Sequence, residues 1–585
     1  MAVQIDSVRV RNFRSIADHD FILAAFTPLV GYNNSGKSNF LSVIQWLIRK
    51  HALSEVDFRN PQLPVEVEGT ISGISADVVG LLTPAQQVQL TPFIVDGSIK
   101  IKRTQRDVNC RATDINLTIW DPRVGNWRPN PTGIDNAVGV ILPEPIRIGA
   151  MVDAAEDATK SKTSTTIGKL LAEFLGPFKA RHEEDLTARL VEVERCISSS
   201  GYMRFEELGV MDDQITSKIH DLFPGVGARL HFPVPHIDEL FKAGTLRLCD
   251  ENGTERDFSS YGHGTQRSVQ MALIRHLAEI RQGERRNGVT TLLLIDEPEL
   301  YLHPFAIEQV RVALKALSGM GYQVIFSTHS SQLIQSEDAQ YTLLVRKRQE
   351  GTYTRRRLRD AIARVVPDAE HQAEHLFSLS NSSQILFADK VVLSEGKTEQ
   401  RLIPAIYHAV RGATLGQERT ALVAQGGVNN TTKSMAILTA MDLPCKAVVD
   451  LDYAFNGAVA NGLIHAEDPD IATLKRVLQT LAQRGLVTLH DSGLPKNGST
   501  GSASDGFKVL AEEPDAREPI SRLHDQLVAQ NIWLWTKGSI EAHLGITGKT
   551  EANWSGFQRR MQEEGLLRIC IDYASVQSLV NWLAD

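Results

Sequence analysis

The octapeptide GYNNSGKS, residues 31–38, decides the fold of the first half of the chain. Before it lies the apolar segment 26–30, which predicts a strand, and after it apolar residues recur with helical spacing over 40–47. Between a strand and a helix, the pattern GxxxxGK[ST] predicts a phosphate-binding loop. Glycines let backbone N–H groups close around phosphates, and the helix N-terminus adds a favourable dipole. A chance glycine-rich turn would explain the glycines but not this setting.

The loop and two later positions form a predicted nucleotide site. Lys37 is expected to contact the β- and γ-phosphates of ATP, and Ser38 is expected to ligate one accompanying Mg²⁺ ion. The residues predicted to bind ATP and this ion are Asn33, Asn34, Gly36, Lys37, Ser38, Asn39, Gly264 and Asp296.

The apolar run TLLLIDE at residues 291–297 predicts a strand buried on both faces of a parallel sheet. Ligands bind at the carboxyl ends of such strands. Asp296 is therefore expected to hold Mg²⁺ through water, and Glu297 to orient or deprotonate the attacking water. The next predicted strand, VIFSTHS, ends near His329, which is placed to sense the γ-phosphate. A purely structural histidine is the alternative.

A glycine-rich turn opens a predicted helix in residues 258–280, which is a further anion-binding device. The order of phosphate loop, glycine turn, acidic strand and histidine resembles the ABC ATPases, including their DNA-repair branch. Gly264 matches the second glycine of that family's signature, but Gly262 stands where the signature has serine. Ser259 or Ser260 would have to supply the missing hydroxyl. In that family the signature of one protomer closes over ATP bound to the other, so the resemblance implies a homodimer or a higher homo-oligomer.

A charged helical segment interrupts the predicted ATPase domain. Residues 62–150 are predicted as alternating strands, whereas apolar residues over 165–222 recur at three- and four-residue steps. We interpret residues of about 160–235 as a helical dimerisation insertion. An ordinary surface helix of the domain is an equal alternative.

Two basic segments, residues 346–348 and 355–359, flank a predicted hairpin. Their cations would suit DNA phosphates. A solvated charged hairpin explains them at least as well.

Acidic side chains follow predicted strands in the last third of the chain. The segment KVVLSEGKTE ends its strand at Glu395, and Glu399 lies about one helical turn later. The segment CKAVVDLDYAF contains Asp450 and Asp452. On a strand, residues two positions apart face the same way, so both carboxylates are expected to point at one site.

A third segment, residues 531–545, adds Ser539 and Glu541. Acids at neighbouring strand ends repel one another unless cations lie between them, and hard oxygen ligands suit Mg²⁺ or Mn²⁺. Two such ions about 4 Å apart are a recurring device for hydrolysing phosphodiesters. We therefore expect two metal ions here. Each acid taken singly is also compatible with an ordinary surface carboxylate.

The arrangement EG-x-x-E, D-x-D and S-x-E resembles a Toprim domain. Its position after an ABC-type ATPase resembles the OLD (overcoming lysogenization defect) nucleases and the nuclease subunit of Gabija anti-phage defence. The resemblance extends over nearly the whole chain. It implies that the metal ligands are Glu395, Glu399, Asp450, Asp452, Ser539 and Glu541.

The predicted catalytic residues of the two sites are Glu297, His329, Glu395, Asp450, Asp452 and Glu541. The resemblance also implies a late basic residue that stabilises the transition state, for which Lys549 and Arg560 are candidates.

Composition limits the remaining possibilities. The 585 residues exceed the roughly 250–300 that one core accommodates. Five scattered cysteines without a CxxC pair argue against disulfides and a zinc site, and favour a reducing cytoplasm. The net charge of −8 does not suggest a protein coated in nucleic acid but permits a local basic groove. No apolar stretch of about 18 residues predicts a membrane span.

We predict an α/β protein with two domains, an ABC-type ATPase domain at 1–365 and a Toprim domain at 380–585. The expected function is ATP-regulated, divalent-metal-dependent cleavage of DNA, endo- or exonucleolytic, and the resemblance implies anti-phage defence. The alternative is a DNA-binding ATPase clamp or sensor whose Toprim fold is not catalytic. A topoisomerase or primase would need a winged-helix or template-binding module, which the sequence does not indicate. RNA as substrate and a UvrD-like helicase partner stay open.

Overall fold

The structure, a computed structural model, describes residues 2–115, 117–129, 133–142, 145–149, 166–233, 237, 239, 246–280, 289–365, 382–425 and 430–585. The chain divides into two compact units. The first comprises Met1–Thr27 and Ser38–Leu333, and the second comprises Pro28–Lys37 and Ile334–Asp585. The predicted domain boundaries at residues 365 and 380 stay a prediction, because the junction between them lies outside the described residues.

The strands of the described residues are numbered in chain order. They are β1 (Gln4–Phe13), β2 (Ile16–Ile22), β3 (Phe26–Val30), β4 (Val65–Ser72), β5 (Ile99–Gln105), β6 (Leu117–Asp121), β7 (Asn126–Pro129), β8 (Ile146–Ile148), β9 (Arg247–Cys249), β10 (Glu255–Asp257), β11 (Thr291–Asp296), β12 (Tyr322–Thr328), β13 (Leu343–Arg348), β14 (Gly351–Thr354), β15 (Lys390–Ser394), β16 (Thr420–Ala424), β17 (Cys445–Val449) and β18 (Ile532–Leu534).

The α-helices are numbered in the same way. They are α1 (Lys37–Ile48), α2 (Ala76–Gly80), α3 (Pro84–Leu90), α4 (Ile134–Ile141), α5 (Thr166–Ile197), α6 (Glu206–His220), α7 (His263–Ile280), α8 (Pro304–Ser318), α9 (Ser336–Ala339), α10 (Leu358–Val365), α11 (Lys397–Arg411), α12 (Thr431–Ala440), α13 (Gly457–Ala460), α14 (Pro469–Gln483), α15 (Ala503–Glu512), α16 (Pro514–Val528), α17 (Ile540–Leu544), α18 (Glu551–Glu564), α19 (Leu566–Ile569) and α20 (Tyr573–Ala584). None of these described helices has both the length and the apolar character that a membrane crossing needs.

An antiparallel sheet and a set of parallel strands form the framework of the first unit. The antiparallel sheet has the strand order β2-β1-β4-β5-β6-β7. β11 lies between β8 and β12 and runs parallel to both. Every residue of β11 and β12 is buried. The prediction that the apolar run at 291–297 forms a strand buried on both faces is therefore confirmed.

The predicted run of strands over residues 62–150 is correct only in part. Strands β4 to β8 lie in this region, but helices α2, α3 and α4 interrupt them. At the start of α3, Thr83 accepts a hydrogen bond from the backbone N–H of Gln86, and Pro84 takes the first helical position. These are strong helix-start signals, and they outweigh the apolar alternation that suggested strands.

Two helices occupy the predicted helical insertion. α5 has 32 residues and α6 has 15, so the helical character is confirmed, whereas residues 160–165 and 234–235 of the predicted range lie outside the described residues. Exposed apolar side chains on and between the two helices include Phe178, Val191, Val193, Tyr202, Met203, Phe205, Val210 and Met211. A role in dimerisation stays a prediction.

A four-stranded parallel sheet with the order β16-β15-β17-β18 forms the centre of the second unit. Val391 and Leu393 of β15 pack in one apolar core, and Val392 packs in another. Successive residues of a strand point to opposite faces, so helices cover this sheet on both sides. Because the strands are parallel, their carboxyl ends meet at one edge, where ligands bind in such sheets.

Two arginines of the basic hairpin, Arg346 and Arg355, have surroundings that neither interpretation of its charge predicted. β13 runs parallel to the end of β3 and antiparallel to β14, which confirms the hairpin itself. Arg346 and Arg355, however, are only 3% and 8% exposed. Both form ion pairs with Asp389, at 3.2 and 3.6 Å. A buried charge is costly unless it is paired, so these two arginines belong to the interior, while Lys347 and Arg348 are exposed.

Candidate active sites

The predicted phosphate loop joins β3 to α1, and its glycines are required by local geometry. Gly36 has a φ of 102°, in the left-handed region that favours glycine. At Gly31 a Cβ atom would lie 2.4 Å from the carbonyl oxygen of Val345, so a larger residue would force a shift. The loop therefore has little freedom to accept side chains at either position.

The two polar residues at the end of this loop have defined partners. The Lys37 ammonium donates hydrogen bonds to the carbonyl oxygens of Gly31 and Tyr32, both at 2.9 Å. Ser38 Oγ donates to Asp296 Oδ1 at 3.0 Å, although the two residues are 258 positions apart. The hydroxyl and the carboxylate that were predicted to share Mg²⁺ thus lie together.

The three asparagines predicted at the nucleotide site have different surroundings. Asn33 and Asn34 are exposed on the loop. The Asn39 side chain donates to Ser15 Oγ at 2.7 Å and accepts from the Arg14 guanidinium at 3.3 Å. Asn39 therefore holds the β1–β2 turn against α1, and a contact between it and ATP stays a prediction.

Asp296 is held by more groups than the sequence indicated. Its Oδ1 accepts from Ser327 Oγ at 2.7 Å, and its Oδ2 accepts from the Arg147 guanidinium at 2.6 Å. Arg147 was missed by the sequence reasoning. The available signal is a lone charge within the apolar strand β8, which stands next to β11 with Arg147 opposite Leu294.

Glu297 and His329 also lie together, as their predicted roles require. His329 Nε2 is 3.4 Å from Glu297 Oε1. Glu297 has a φ of +48°, a strained conformation of the kind that clusters at functional sites. Glu299, which was not predicted, accepts from the backbone N–H of His329 at 2.7 Å and from Thr328 Oγ1 at 2.9 Å.

Gly264 lies in the first turn of α7, and the same helix carries Arg267, which was not predicted to belong to the site. Arg267 is buried, and its guanidinium donates to the carbonyl oxygens of Asp296 and, at 2.8 Å, of Glu297. Burial lowers the pKa of Arg267 to about 10. This side chain ties the helix after the glycine turn to the end of the acidic strand.

The second site lies where β15, β17 and β18 end side by side. Glu395 and Asp450 follow the first two strands directly. Glu399 lies in the first turn of α11, Ser539 is the N-cap of α17, and Glu541 lies in the first turn of that helix. Helix N-termini carry partial positive charge and favour nearby carboxylates.

Side chains from distant stretches meet at this edge. The backbone N–H of Asp450 donates to Glu395 Oε2 at 3.1 Å. Thr398 Oγ1 donates to Glu541 Oε1 at 2.6 Å. The Lys549 ammonium donates to Asp450 Oδ2 at 3.3 Å and lies 3.9 Å from Glu541 Oε2.

Asp450 and Asp452 do not lie on one strand, so that prediction was wrong. β17 ends before Asp450, and Asp452 lies in the short 3-10 helix Leu451–Ala454. The backbone N–H of Leu451 donates to the carbonyl oxygen of Gly538 at 2.8 Å, which fixes this turn against the segment that carries Ser539. The alternation of side chains along a strand therefore does not set the orientation of these two carboxylates.

Burial and mutual repulsion disfavour the charged carboxylates. Burial, together with the charges of Glu541 and Glu395, raises the pKa of Glu399 to about 7. Burial, followed by the charge of Asp452, raises the pKa of Glu395. Burial and the charge of Glu395 raise the pKa of Asp450 well above its usual range. Such a cluster stays ionised at neutral pH only beside positive charge.

The donor set fits a divalent cation. Asp450 Oδ1 and Glu541 Oε2 are buried oxygens without a hydrogen-bond partner among the described residues. Hard oxygen donors of this kind suit Mg²⁺ or Mn²⁺. Within the described part of the chain, no three acidic, histidine or cysteine side chains form a ready-made coordination cluster. The Lys549 ammonium instead lies near both Asp450 and Glu541.

Of the two late basic candidates, the structure brings Lys549 to the carboxylates. Burial alone would lower the pKa of Lys549, but the charges of Asp450, Glu541 and Glu399 raise this pKa above its ordinary value. Arg560 instead pairs with Glu564 on its own helix, at 3.0 Å, and is exposed.

A buried histidine that was not predicted supports α17. His543 is fully buried; its Nε2 accepts from the backbone N–H of Lys537 at 3.1 Å, and its Nδ1 lies 2.9 Å from Asp572 Oδ2. The hydrogen bond from His543 holds the pKa of Asp572 well below its usual range. Because Glu541 is on the same short helix, this pair fixes the helix that presents the carboxylate.

Comparison with known proteins matches two families. The family described as Overcoming lysogenization defect protein-like, TOPRIM domain, matches residues 386–452. The family described as AAA domain, putative AbiEii toxin, Type IV TA system, matches residues 148–335. The Old nuclease of Escherichia phage P2 is 36% identical over 592 residues, which covers 100% of both chains. The OLD nuclease of Thermus scotoductus is 23% identical over 463 residues, covering 76% of this chain and 81% of that relative.

Two solved structures are similar at a lower level. An Smc head bound to the C-winged helix domain of ScpA covers 61% of this chain and 99% of its own, with 15% identity and a TM-score of 0.35. The SMC head domain from Thermotoga maritima covers 60% of this chain and 98% of its own, with 15% identity and a TM-score of 0.27.

The two family matches and the two sites define an ATPase joined to a Toprim nuclease. The predicted fold class, an ATPase domain followed by a Toprim α/β domain, is confirmed. The full-length identity with the phage P2 protein places the chain in the OLD nuclease family. Use of a nucleotide and of a divalent metal follows in general from these two domains.

Lys549→Ala should lower the rate of nucleic-acid cleavage by about 10²–10³-fold, the usual effect of removing one group that stabilises transition-state charge. Lys549→Arg should retain part of the rate because it keeps the cation. Arg560→Ala is the matched control and should cleave at the wild-type rate. Plasmid nicking with Mg²⁺ or Mn²⁺ measures these rates. Equal losses in Lys549→Ala and Arg560→Ala would exclude a specific role for Lys549.

Proposed function

We propose that this chain is an ATP-regulated, divalent-metal-dependent nuclease that cleaves DNA. The observation that carries the proposal is the convergence of Glu395, Asp450 and Glu541 beside Lys549, with two buried carboxylate oxygens left without hydrogen-bond partners. Buried carboxylate oxygens that accept no hydrogen bond are unfavourable in a purely structural role. Their arrangement at a sheet edge is therefore best explained by cation binding.

The proposed metal ligands are Glu395, Glu399, Asp450, Asp452, Ser539 and Glu541. Two bound ions would supply an activated water and stabilise the leaving oxygen of a phosphodiester. The chain's own contribution is positional: Thr398 orients Glu541 through its hydroxyl, and the Asp450 backbone N–H orients Glu395. Lys549 adds a cation where negative charge develops on the phosphate.

A basic cleft beside Glu541 supports a nucleic-acid strand as substrate. The cleft has a volume of about 660 Å³, and Lys508, Arg517 and Lys537 contribute cations to its lining, with Glu512 and Glu541 as acids. Lys508 and Arg517 are exposed. Cations in a cleft raise the local concentration of an anionic chain. A phosphodiester backbone can thus reach the carboxylates although the protein as a whole is acidic.

The nucleotide site would act as the control element. Ser38 and Asp296 are proposed to hold one Mg²⁺ with ATP, and Glu297 with His329 is proposed to act at the γ-phosphate. Their pairing in the structure supports this, with distances of 3.0 Å for Ser38–Asp296 and 3.4 Å for Glu297–His329. Gly264 would serve a second protomer in a homo-oligomer. A role in anti-phage defence and a helicase partner rest on the family resemblance.

Asp450→Asn should abolish divalent-metal-dependent cleavage while ATP hydrolysis continues. It removes a charge and keeps the shape, so cleavage should fall by at least about 10²–10³-fold. Because the raised pKa of Asp450 marks its charge as unfavourable in the folded state, the melting temperature should stay equal or rise. Asp470→Asn, which alters a carboxylate paired with Arg522, is the control and should keep cleavage. Wild-type cleavage by Asp450→Asn would disprove the proposed site.

Lys508→Ala with Arg517→Ala should weaken DNA binding and its dependence on salt. Each lost phosphate contact reduces the magnitude of the slope of log K against log salt by about 1. The slope of the double variant should therefore be smaller by about 2. Fluorescence anisotropy of a labelled duplex, measured in the Asp450→Asn background, gives the slope. The control is Lys475→Ala with Arg476→Ala on α14. An unchanged slope in the cleft variant would contradict the proposed strand path.

A further inference from the structure

The second residue of the phosphate loop, Tyr32, contacts the sheet that carries the nuclease carboxylates. The guanidinium of Arg419 lies 4.1 Å from the centre of the Tyr32 ring, and that of Arg346 lies 4.8 Å from it. Cations within about 6 Å of an aromatic face are attracted to it. All three residues belong to the second compact unit.

One carboxylate, Asp389, joins these cations. It forms ion pairs with Arg346 at 3.2 Å, Arg419 at 3.4 Å and Arg355 at 3.6 Å. Three guanidinium groups thus surround one carboxylate. The negative face of the Tyr32 ring also attracts two of them, those of Arg346 and Arg419. Burial and the proximity of Asp389 raise the pKa of Tyr32 to about 12, so that its ring stays neutral. We call Tyr32, Arg346, Arg355, Asp389 and Arg419 the arginine cluster.

The arginine cluster lies at the start of the Toprim strands. Asp389 directly precedes β15 and Arg419 directly precedes β16, and the backbone N–H of Asp389 donates to the carbonyl oxygen of Arg419 at 2.8 Å. Arg346 also donates to the carbonyl oxygens of Ala388, at 2.9 Å, and Leu386, at 3.3 Å. β15 has five residues and spans about 16 Å. At its far end it presents Glu395.

The β13–β14 hairpin also contacts the phosphate loop directly. Thr352 Oγ1 of β14 donates to the carbonyl oxygen of Ser35 at 2.9 Å in a buried position. The Lys37 ammonium donates to the carbonyl oxygen of Tyr32. A nucleotide phosphate bound in the loop competes for that ammonium. Nucleotide binding would therefore change the hydrogen bonding of the peptide that carries the Tyr32 ring.

We propose that Tyr32 is a positioning residue that transmits nucleotide binding from the phosphate loop, through Arg346, Arg419 and Asp389, to strand β15 and so to Glu395. A coupling of this kind needs an element that the two sites contact physically, and the arginine cluster is that element. The inference rests on the proposed function in that the nucleotide controls the carboxylate site. It adds the residues through which this control acts.

Hydrogen–deuterium exchange of the full chain, with and without Mg²⁺ and a non-hydrolysable ATP analogue, tests the coupling. In the wild type, nucleotide should change the exchange rates of backbone amides in residues 386–394 and 419–424 several-fold, within the roughly 5–150-fold range of allosteric couplings. Tyr32→Phe keeps the aromatic face and should respond like the wild type. Tyr32→Ala should bind nucleotide and lose the response in both segments.

A second variant keeps the test decisive if Tyr32→Ala binds nucleotide poorly. Arg419→Leu leaves the phosphate loop intact and should also lose the response, whereas Arg411→Leu, a surface arginine on α11, is its matched control. Tyr353→Ala is the control for loss of the Tyr32 ring. Among the cation–aromatic pairs of the described residues, the Tyr353 ring contacts only Arg348, which is outside the arginine cluster. Both controls should respond like the wild type.

Two results would overturn the coupling: no nucleotide response in the wild type, or a full response in Arg419→Leu. Exchange does not require catalysis, so this readout is separable from DNA cleavage. A chain that shows the response but cleaves no DNA would contradict the proposed function alone. A chain that cleaves DNA without the response would contradict the coupling alone.

Discussion

Repulsion among buried carboxylates is the constraint on which the second half of this protein depends. Glu395, Glu399 and Asp450 come together with Glu541 at one edge of a parallel sheet, and burial raises the pKa of the first three. Helix N-termini and the Lys549 ammonium offset only part of this cost. The remaining deficit of positive charge is the basis of the metal site that we propose at this edge. The fold holds the acids there because strands β15, β17 and β18 are parallel and end together.

The elements that local sequence determines were predictable. The strand at Phe26–Val30 and the strand ending at Asp296 follow from continuous apolar runs, and the phosphate loop follows from its glycines and its setting. Contacts between distant segments were not predictable in the same way. Arg147 reaches the Asp296 carboxylate, and Arg267 reaches the Asp296 carbonyl oxygen, only after the strands and α7 have packed. No spacing in the sequence encodes these two contacts.

Two errors show where periodicity and charge stop being informative. Asp452 was placed on a strand because it stands two residues after Asp450, yet β17 has already ended and a 3-10 turn follows. The basic hairpin was interpreted from the sign of its charge, but Arg346 and Arg355 are buried against Asp389, which lies more than thirty positions away in the sequence. In both cases a partner that is remote in sequence decides the conformation of the local residue.

The most direct test of the account is to locate bound manganese. Crystals of the full chain grown with Mn²⁺ would give anomalous scattering that marks each ion without reference to activity. We expect Mn²⁺ peaks with Glu395, Asp450 and Glu541 among their ligands, and loss of these peaks in Asp450→Asn. Saturating Mn²⁺ without any peak at these carboxylates would contradict it.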